Sequence, residues 1–490
     1  MSESLFHSIE PERVWYYFEE ISKIPRCSQD EQKIREYLKK FAKKTNLAYK
    51  TDEIGNIVIK KSGTRGYEGS KTVVLQGHMD MVCEKNQETD HDFQKDPLKL
   101  KLIGDWVSAE NTTLGADNGI AIAFSLAILE SHDIEHGPIE ALFTVDEESG
   151  LTGALQLDSS IIDGRYLINL DSEEEGVLYI GCAGGVTTSG WIPVEWSPSP
   201  NDYLFYRLSV TGLRGGHSGG DIHKSRGSAI KFGARLLWNL LEKIDIRIAT
   251  MQGGGKHNAI PRELFLSFIV PKSQNETMLS IFESIKNNII SEYRDIEPGI
   301  KISLEENSDA PQKVLSPKAS SKIVNCLFMM PHGVDEYSLS IPGMVETSTN
   351  LASVELLDYE LHVVTSQRSS MTSKRDYMAN RITALLRCPG ARVSYSSLYP
   401  AWTADPNNPL IEITSDAYKE LFNKKPKVTA IHAGLECGVI SERCPDMTMI
   451  SFGPNLKDVH TPSECMSIES VKRTWNLLLL VLKKIADTLP

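Results

Sequence analysis

Four short apolar runs in this chain each end abruptly in imidazole or carboxylate side chains, and that pattern leaves few folds open. VVLQ (73–76) runs into Gly77, His78, Met79 and Asp80; ALFTV (141–145) into Asp146, Glu147 and Glu148; YLINL (166–170) into Asp171; MISF (449–452) into Gly453 and, a few residues on, His460. Brief apolar runs bounded by polar loops read as buried strands. Between the first two lies NGIAIAFSLAILE (118–130), an apolar helix that could cross over between parallel strands. The expected fold is α/β, with a mostly parallel central sheet flanked by helices. In such sheets ligands gather beyond the carboxyl ends of the strands, where the polar residues sit here.

The rest of the 490-residue chain exceeds what one core usually serves. Residues 11–45 read as two helices broken around Ile24, Pro25 and Arg26. After about Gly185 the texture changes to alternating strands (203–211, 263–270, 355–365) and amphipathic helices (228–244, 278–293, 370–386). This predicts an inserted α+β domain, long enough for two similar halves. From about Pro400 the pattern returns to helices and one apolar strand, 448–452, before a closing helix over 467–489. The expected division is 1–186 with 400–490 for the first domain and 187–399 for the insertion.

Bulk properties exclude several function classes. No apolar run approaches the roughly 20 residues of a membrane span, and the acidic, polar start of the chain is unlike a secretory signal. Eight cysteines are dispersed without a C-x-x-C pair, against a disulfide scaffold or a thiolate zinc site and in favour of a reducing, cytoplasmic setting. The net charge of -13, with no clustered basic-aromatic stripe, speaks against nucleic-acid binding.

The strand ends carry the chemistry. His78 and Asp80 project to one face of an extended chain, so Asp80 could fix the tautomer of His78 while the other nitrogen binds metal. Asp117 opens the apolar helix, where an aspartate is ordinarily an N-cap; bridging two cations would need its second oxygen free of that cap. Glu147 and Glu148 repel one another unless a cation intervenes, which suggests that one coordinates metal and the other accepts a proton. Asp171 directly follows a strand, and His460 lies in a loop before the last helix. Singly, each is more often a solvated turn or cap. Together, two imidazoles and three carboxylates are the ligand count of two metals sharing one bridge. A rival reading is a serine hydrolase, since GHSGG (216–220) matches G-x-S-x-G around Ser218; the strand before it ends too early for a nucleophile elbow.

The segments GHMDMV (77–82), LGADNG (114–119), DEESG (146–150), NLDSEE (169–174) and DVHTPSE (458–464), with ISKIPR (21–26) and AGLECG (433–438), resemble the two-zinc metallopeptidase family that includes glutamate carboxypeptidase, PepT and PepV, nearest its branch acting on aminoacyl-histidine dipeptides. The resemblance covers essentially the whole chain, and no ligand position departs from it. It implies two Zn2+ per chain, with Co2+ or Mn2+ also accepted: His78, Asp117 and Asp171 on one, and Asp117, Glu148 and His460 on the other. Asp80 would orient His78, Glu147 would act as general base on a bridging water, and the 117–118 peptide bond would be cis. It makes the insertion a lid for substrate binding and dimerisation, with His217 donating to the oxyanion, Asn258 and Arg368 holding the terminal carboxylate, and Gly434 letting substrate backbone approach. The implied activity is hydrolysis of dipeptides by a homodimer; hydrolysis of N-acyl amino acids or tripeptides is the alternative within the family.

Overall fold

The structure, a computed structural model, describes residues 5–488. Its chain divides into two compact units: one runs to Cys182 and resumes over Trp402–Ala430 and from Leu435 onward, and the other comprises Ala183–Ala401 and Ile431–Gly434.

In the first unit eight strands form one sheet, ordered Ala48–Thr51, Ile57–Lys61, Ile139–Thr144, Val73–His78, Tyr166–Asn169, Thr448–Ser451, Val177–Cys182 and Lys427–Ile431. The four central strands from Ile139–Thr144 to Thr448–Ser451 pair in parallel, and antiparallel strands flank them. Val73–His78 and Ile139–Thr144 are buried at every residue. That is why they read as near-continuous apolar runs, broken only by polar residues such as Gln76 and Glu140: a parallel sheet is covered on both faces. The helix Ala116–Glu130 is buried at nearly every position, so it is apolar all round rather than along one stripe. The N-terminal helices are Glu12–Ser22 and Gln32–Lys44, and the closing helix is Ile468–Thr488; Leu489, to which it was expected to extend, lies outside the described residues.

A small four-stranded sheet, Leu456–Lys457, Cys465–Ser467, Trp106–Ala109 and Leu100–Ile103, was not foreseen. Its first two strands form a hairpin whose loop carries His460. The cysteine expectation also needs amending. Cys27 and Cys83 are joined by a disulfide, while the other six cysteines are free. Their separation of 56 residues carries no signal; the pair meets because Cys27 bridges to Met81 beside the end of a central strand.

The second unit holds a nine-stranded antiparallel sheet. Tyr203–Thr211, Arg247–Gly254, Leu264–Pro271 and Lys301–Asn307, with helices Ala229–Leu241 and Asn275–Tyr293, form one strand–helix–strand–strand–helix–strand set. Gly184–Pro193, Val345–Leu356, Glu360–Ser369 and Arg392–Tyr399, with helices Pro317–Met329 and Thr372–Arg387, form another. Both sets have the fourth strand beside the first and the third beside the second, and they join edge to edge through their second strands. The strand expected over 355–365 is a hairpin instead. Leu357 N–H donates to Glu360 O at 2.9 Å and Leu356 pairs with Leu361, so the chain turns at Asp358 and Tyr359.

Candidate active site

In the first unit the carboxyl ends of the central strands converge on a cluster of acids and imidazoles. His78 ends its strand, 1% exposed, with Nδ1 3.2 Å from Asp80 Oδ1 and Nε2 3.0 Å from Asp117 Oδ1 and 3.4 Å from Asp171 Oδ1. His460 Nε2 lies 3.1 Å from Asp117 Oδ2 and 2.9 Å from Glu148 Oε2. Each oxygen of Asp117 therefore faces a different imidazole. Three sets of ligand atoms lie within 4.8 Å of one another: His78 with Asp117 and Asp171, Asp117 with Glu148 and His460, and His78 with Glu147 and Glu148.

Asp117 has both oxygens to spare because it does not cap its helix. Gly115 stands at the cap position in the left-handed region (φ 65°), and the following turn departs from helical geometry at Asp117 and Asn118, whose peptide bond is cis. Glu464 does the capping. Its carboxylate accepts from the N–H groups of Leu114 (2.8 Å), Gly115 (3.0 Å), Ala116 (2.8 Å) and Asp117 (3.4 Å). Arg26, fully buried, fastens the same loop to the end of the His78 strand by donating to Asp80 O at 2.9 Å and to Gly115 O. Neither role could be found from spacing, since both partners lie far away in the chain.

The acids of this cluster are crowded together. Glu147, Glu148 and Asp171 are all raised above the ordinary carboxylate range, by burial first of all and then by one another and by Asp117, with His78 opposing. Asp117 and Glu148 push His460 up to about 11. Glu148 Oε1 and Asp171 Oδ1 are buried and have no hydrogen-bond partner among the described residues. Hard, crowded oxygen donors with two imidazoles suit divalent cations, so this donor set fits a metal pair. A fourth acidic group, Glu31, Asp80 and Asp146, is satisfied by the protein instead. Asp146 N–H donates to Glu31, Thr152 and Ser149 donate to Asp146, and Ser28 donates to Asp80. Glu436 lies in the same layer. Its Oε2 accepts from Gln76 Nε2 (2.5 Å) and Thr144 Oγ1 (2.7 Å), and burial lifts the group to about 7.

The second unit holds a cluster of its own. His217 Nδ1 accepts from Gly219 N–H (3.3 Å) and Gly220 N–H (3.1 Å), which leaves the proton of the neutral ring on Nε2. Burial, followed by the Arg368 charge, lowers this imidazole to about 4. Ser218 Oγ is buried and has no hydrogen-bond partner among the described residues, and His217 Nδ1 is already taken by backbone, so none of these residues serves the serine as a base. Ser218 N–H donates to Asn258 O, and Asn350 holds the same loop through His257 O and Ala259 O. Arg368 is 6% exposed, and among the described residues no carboxylate lies at ion-pair distance from it. Its Nη1 donates to Tyr399 Oη at 2.6 Å. A Cβ on Gly434 would come within 2.8 Å of Tyr399 Cε2, so the space this glycine leaves is taken by that ring.

Comparison with known proteins follows the same lines. The model of peptidase family M20/M25/M40 matches residues 74–484. The chain is 38% identical over 477 residues to the cytosol non-specific dipeptidase of Escherichia coli (strain K12), covering 97% of this chain and 98% of that protein. The crystal structure of aminoacylhistidine dipeptidase from Vibrio alginolyticus superposes with a TM-score of 0.91 at 36% identity, covering 100% of this chain and 99% of the other. A tripeptidase from Staphylococcus aureus shares the fold at a TM-score of 0.57 and 17% identity, over 98% of this chain and 100% of that one.

Proposed function

The chain belongs to peptidase family M20/M25/M40, and from that premise we propose that it is a metal-dependent dipeptidase acting on the Xaa-His type, such as β-Ala-His, and on other dipeptides. The observation that carries this reading is Asp117, which turns one oxygen to His78 and the other to His460 among acids short of positive charge. In this reading His78, Asp117 and Asp171 hold one cation and Asp117, Glu148 and His460 the other. Zinc is the proposed metal, and Co2+ or Mn2+ suit the same donors. Such a pair, when bound, would lower the pKa of a water and polarise the scissile carbonyl.

The remaining steps belong to side chains. Glu147 takes the proton of the attacking water and delivers it to the leaving amine nitrogen. Nearby cations would bring its raised pKa back to the range such a shuttle needs. Asp80 keeps His78 in one tautomer and, by accepting from the amides of Glu147 and Glu148, aligns the turn that carries both acids. His217, neutral with its proton on Nε2, is the proposed oxyanion donor. Arg368 and Asn258 receive the substrate's terminal carboxylate and so restrict substrates to very short peptides. A buried guanidinium without a carboxylate partner supports that role, because an uncompensated buried charge is costly until an anion arrives. Gly434 belongs to the same subsite.

We further read the protein as a cytoplasmic homodimer. No described helix is long and apolar enough to cross a membrane. Sedimentation checks the dimer.

The decisive assay uses metal-free protein reloaded with defined ions and offered β-Ala-His, other dipeptides, a tripeptide and acetyl amino acids. Histidine should be released from β-Ala-His only after reloading, with no acetate from acetyl amino acids. Undiminished turnover without metal, or faster turnover of the tripeptide or an acetyl amino acid than of any dipeptide, would overturn the proposal.

A further inference from the structure

We propose that Tyr399 is a positioning residue of the carboxylate subsite: wedged between two glycines, it holds the Arg368 guanidinium in the orientation that receives a substrate carboxylate. This rests on the reading of Arg368 given above. Ser348, Arg368, Gly185 and Tyr399 are successive cross-strand partners on four neighbouring strands of the second unit. Directly opposed residues project to one face of a sheet, so these side chains form a single rung. The one member without a side chain stands between Arg368 and Tyr399. A Cβ on Gly185 would collide with Cζ, Oη and Cε1 of the tyrosine, so the ring lies across the gap and its hydroxyl oxygen reaches Arg368. A glycine inside a strand weakens it, and here the ring fills the space.

Three other features hold the ring in place. Gly434 closes the side at Cε2. The pairing register shifts between Ser396 and Tyr399, with Ser397 at φ 49°, and such an irregularity re-aims the residue that follows. Arg375 then ties down the Tyr399 carbonyl with a 2.5 Å hydrogen bond from Nη1.

What the arrangement supplies is direction. Arg368 is buried on a long stem, and no carboxylate among the described residues holds its planar fork. Burial and then the guanidinium charge lower the surrounding imidazoles of His217, His257 and His432, and an imidazole in either protonation state supplies no anion to pair with Arg368. A bidentate grip on a carboxylate depends on the plane of the fork. The hydrogen bond to a phenol with no freedom to turn sets that plane before substrate arrives. Gly434 on this account serves the subsite indirectly, by leaving room for Tyr399.

The test is Tyr399→Phe, which keeps the ring and its packing and removes only the hydroxyl. KM for β-Ala-His should rise about tenfold, the size expected for one hydrogen bond to a charged group, with kcat within about twofold. The inhibition constant of the corresponding dipeptide amide, which lacks the carboxylate, should not move. Gly434→Ala should show the same split by displacing the ring, and the double variant should be no worse than the poorer single one. An unchanged KM in Tyr399→Phe, or an equal loss for the amide, overturns the inference. Arg368→Lys separates the two layers. If it too leaves KM unchanged, the carboxylate reading itself fails; if it raises KM while Tyr399→Phe does not, only the role of Tyr399 is lost.

Discussion

Asp80 gathers four hydrogen bonds from three separate stretches of chain: the His78 ring, the Ser28 hydroxyl, and the amides of Glu147 and Glu148. Burial alone would raise its pKa, yet these donors and the His78 charge bring it down to about 2. An acid held ionised against Nδ1 leaves Nε2 of His78 facing Asp117 and Asp171. Glu147 differs from its neighbour. It lies near His78 and Glu148 but makes no ion pair with either imidazole among the described residues, which suits a proton carrier better than a ligand. Glu147→Gln keeps the shape and removes the base. We expect kcat to fall about 10²–10⁴-fold while metal content, read by atomic emission, stays at the wild-type level. Retention of more than about a tenth of the rate would exclude a general-base role. His78, Asp117, Glu147, Glu148 and Asp171 were legible as candidates because each stands at the end of an apolar run or the mouth of an apolar helix, whereas His460, a loop residue, was legible only through the ligand count it completes. Ser28 and Glu464 gave no such signal. Each acts on groups remote in sequence, and a lone serine or glutamate in a loop is most often solvated.

Among the elements, the start of helix Ala116–Glu130 and the hairpin around His460 act as one device. Glu464 follows His460 by four residues and grips the backbone from Leu114 to Asp117, so the loop that carries one imidazole also sets the helix end that carries the shared carboxylate. Glu464→Ala strips four N–H groups of their acceptor in a buried place. It should lower stability by about 1–3 kcal/mol in denaturant titration. It should also weaken metal binding about 10–100-fold in competition with a chelator, as loss of an orienting partner does. Wild-type values on both counts would show that the loop is held by other contacts. Helix periodicity located this element, but the identity of its cap was misleading: an Asp at a helix start reads as the cap until the fold brings a better one. The 345–369 region shows the same limit, since one apolar stretch hid a hairpin whose turn depends on strand pairing.

For the molecule as a whole, the metal pair proposed for the acid cluster would tie folding to metal. Without cations, Glu147, Glu148 and Asp171 sit buried with pKa values raised, so the folded state favours protons that the unfolded chain would shed. Cations relieve that repulsion only if the ligands give up those protons. Chelator-treated protein should therefore unfold at a lower temperature than reloaded protein. Saturation at about 100 times Kd is worth about 2.7 kcal/mol, and the gain should grow from pH 5 to pH 8. Calorimetry with and without zinc checks this, and coincident transitions at every pH would count against a structural pair of ions. What the sequence by itself determined was local: which runs are buried strands, where the apolar helix lies, and that ligand-type residues stand at the strand ends. These follow from periodicity and burial, which a short window of residues expresses on its own. Only the tertiary structure decided that Glu464 rather than Asp117 caps the helix, that Cys27 meets Cys83, and that Tyr399 lies over Gly185 on the Arg368 rung. Each is a contact between chain-distant groups, selected by which backbone atoms the packed sheets bring within hydrogen-bonding or bonding reach, and no spacing along the chain encodes it.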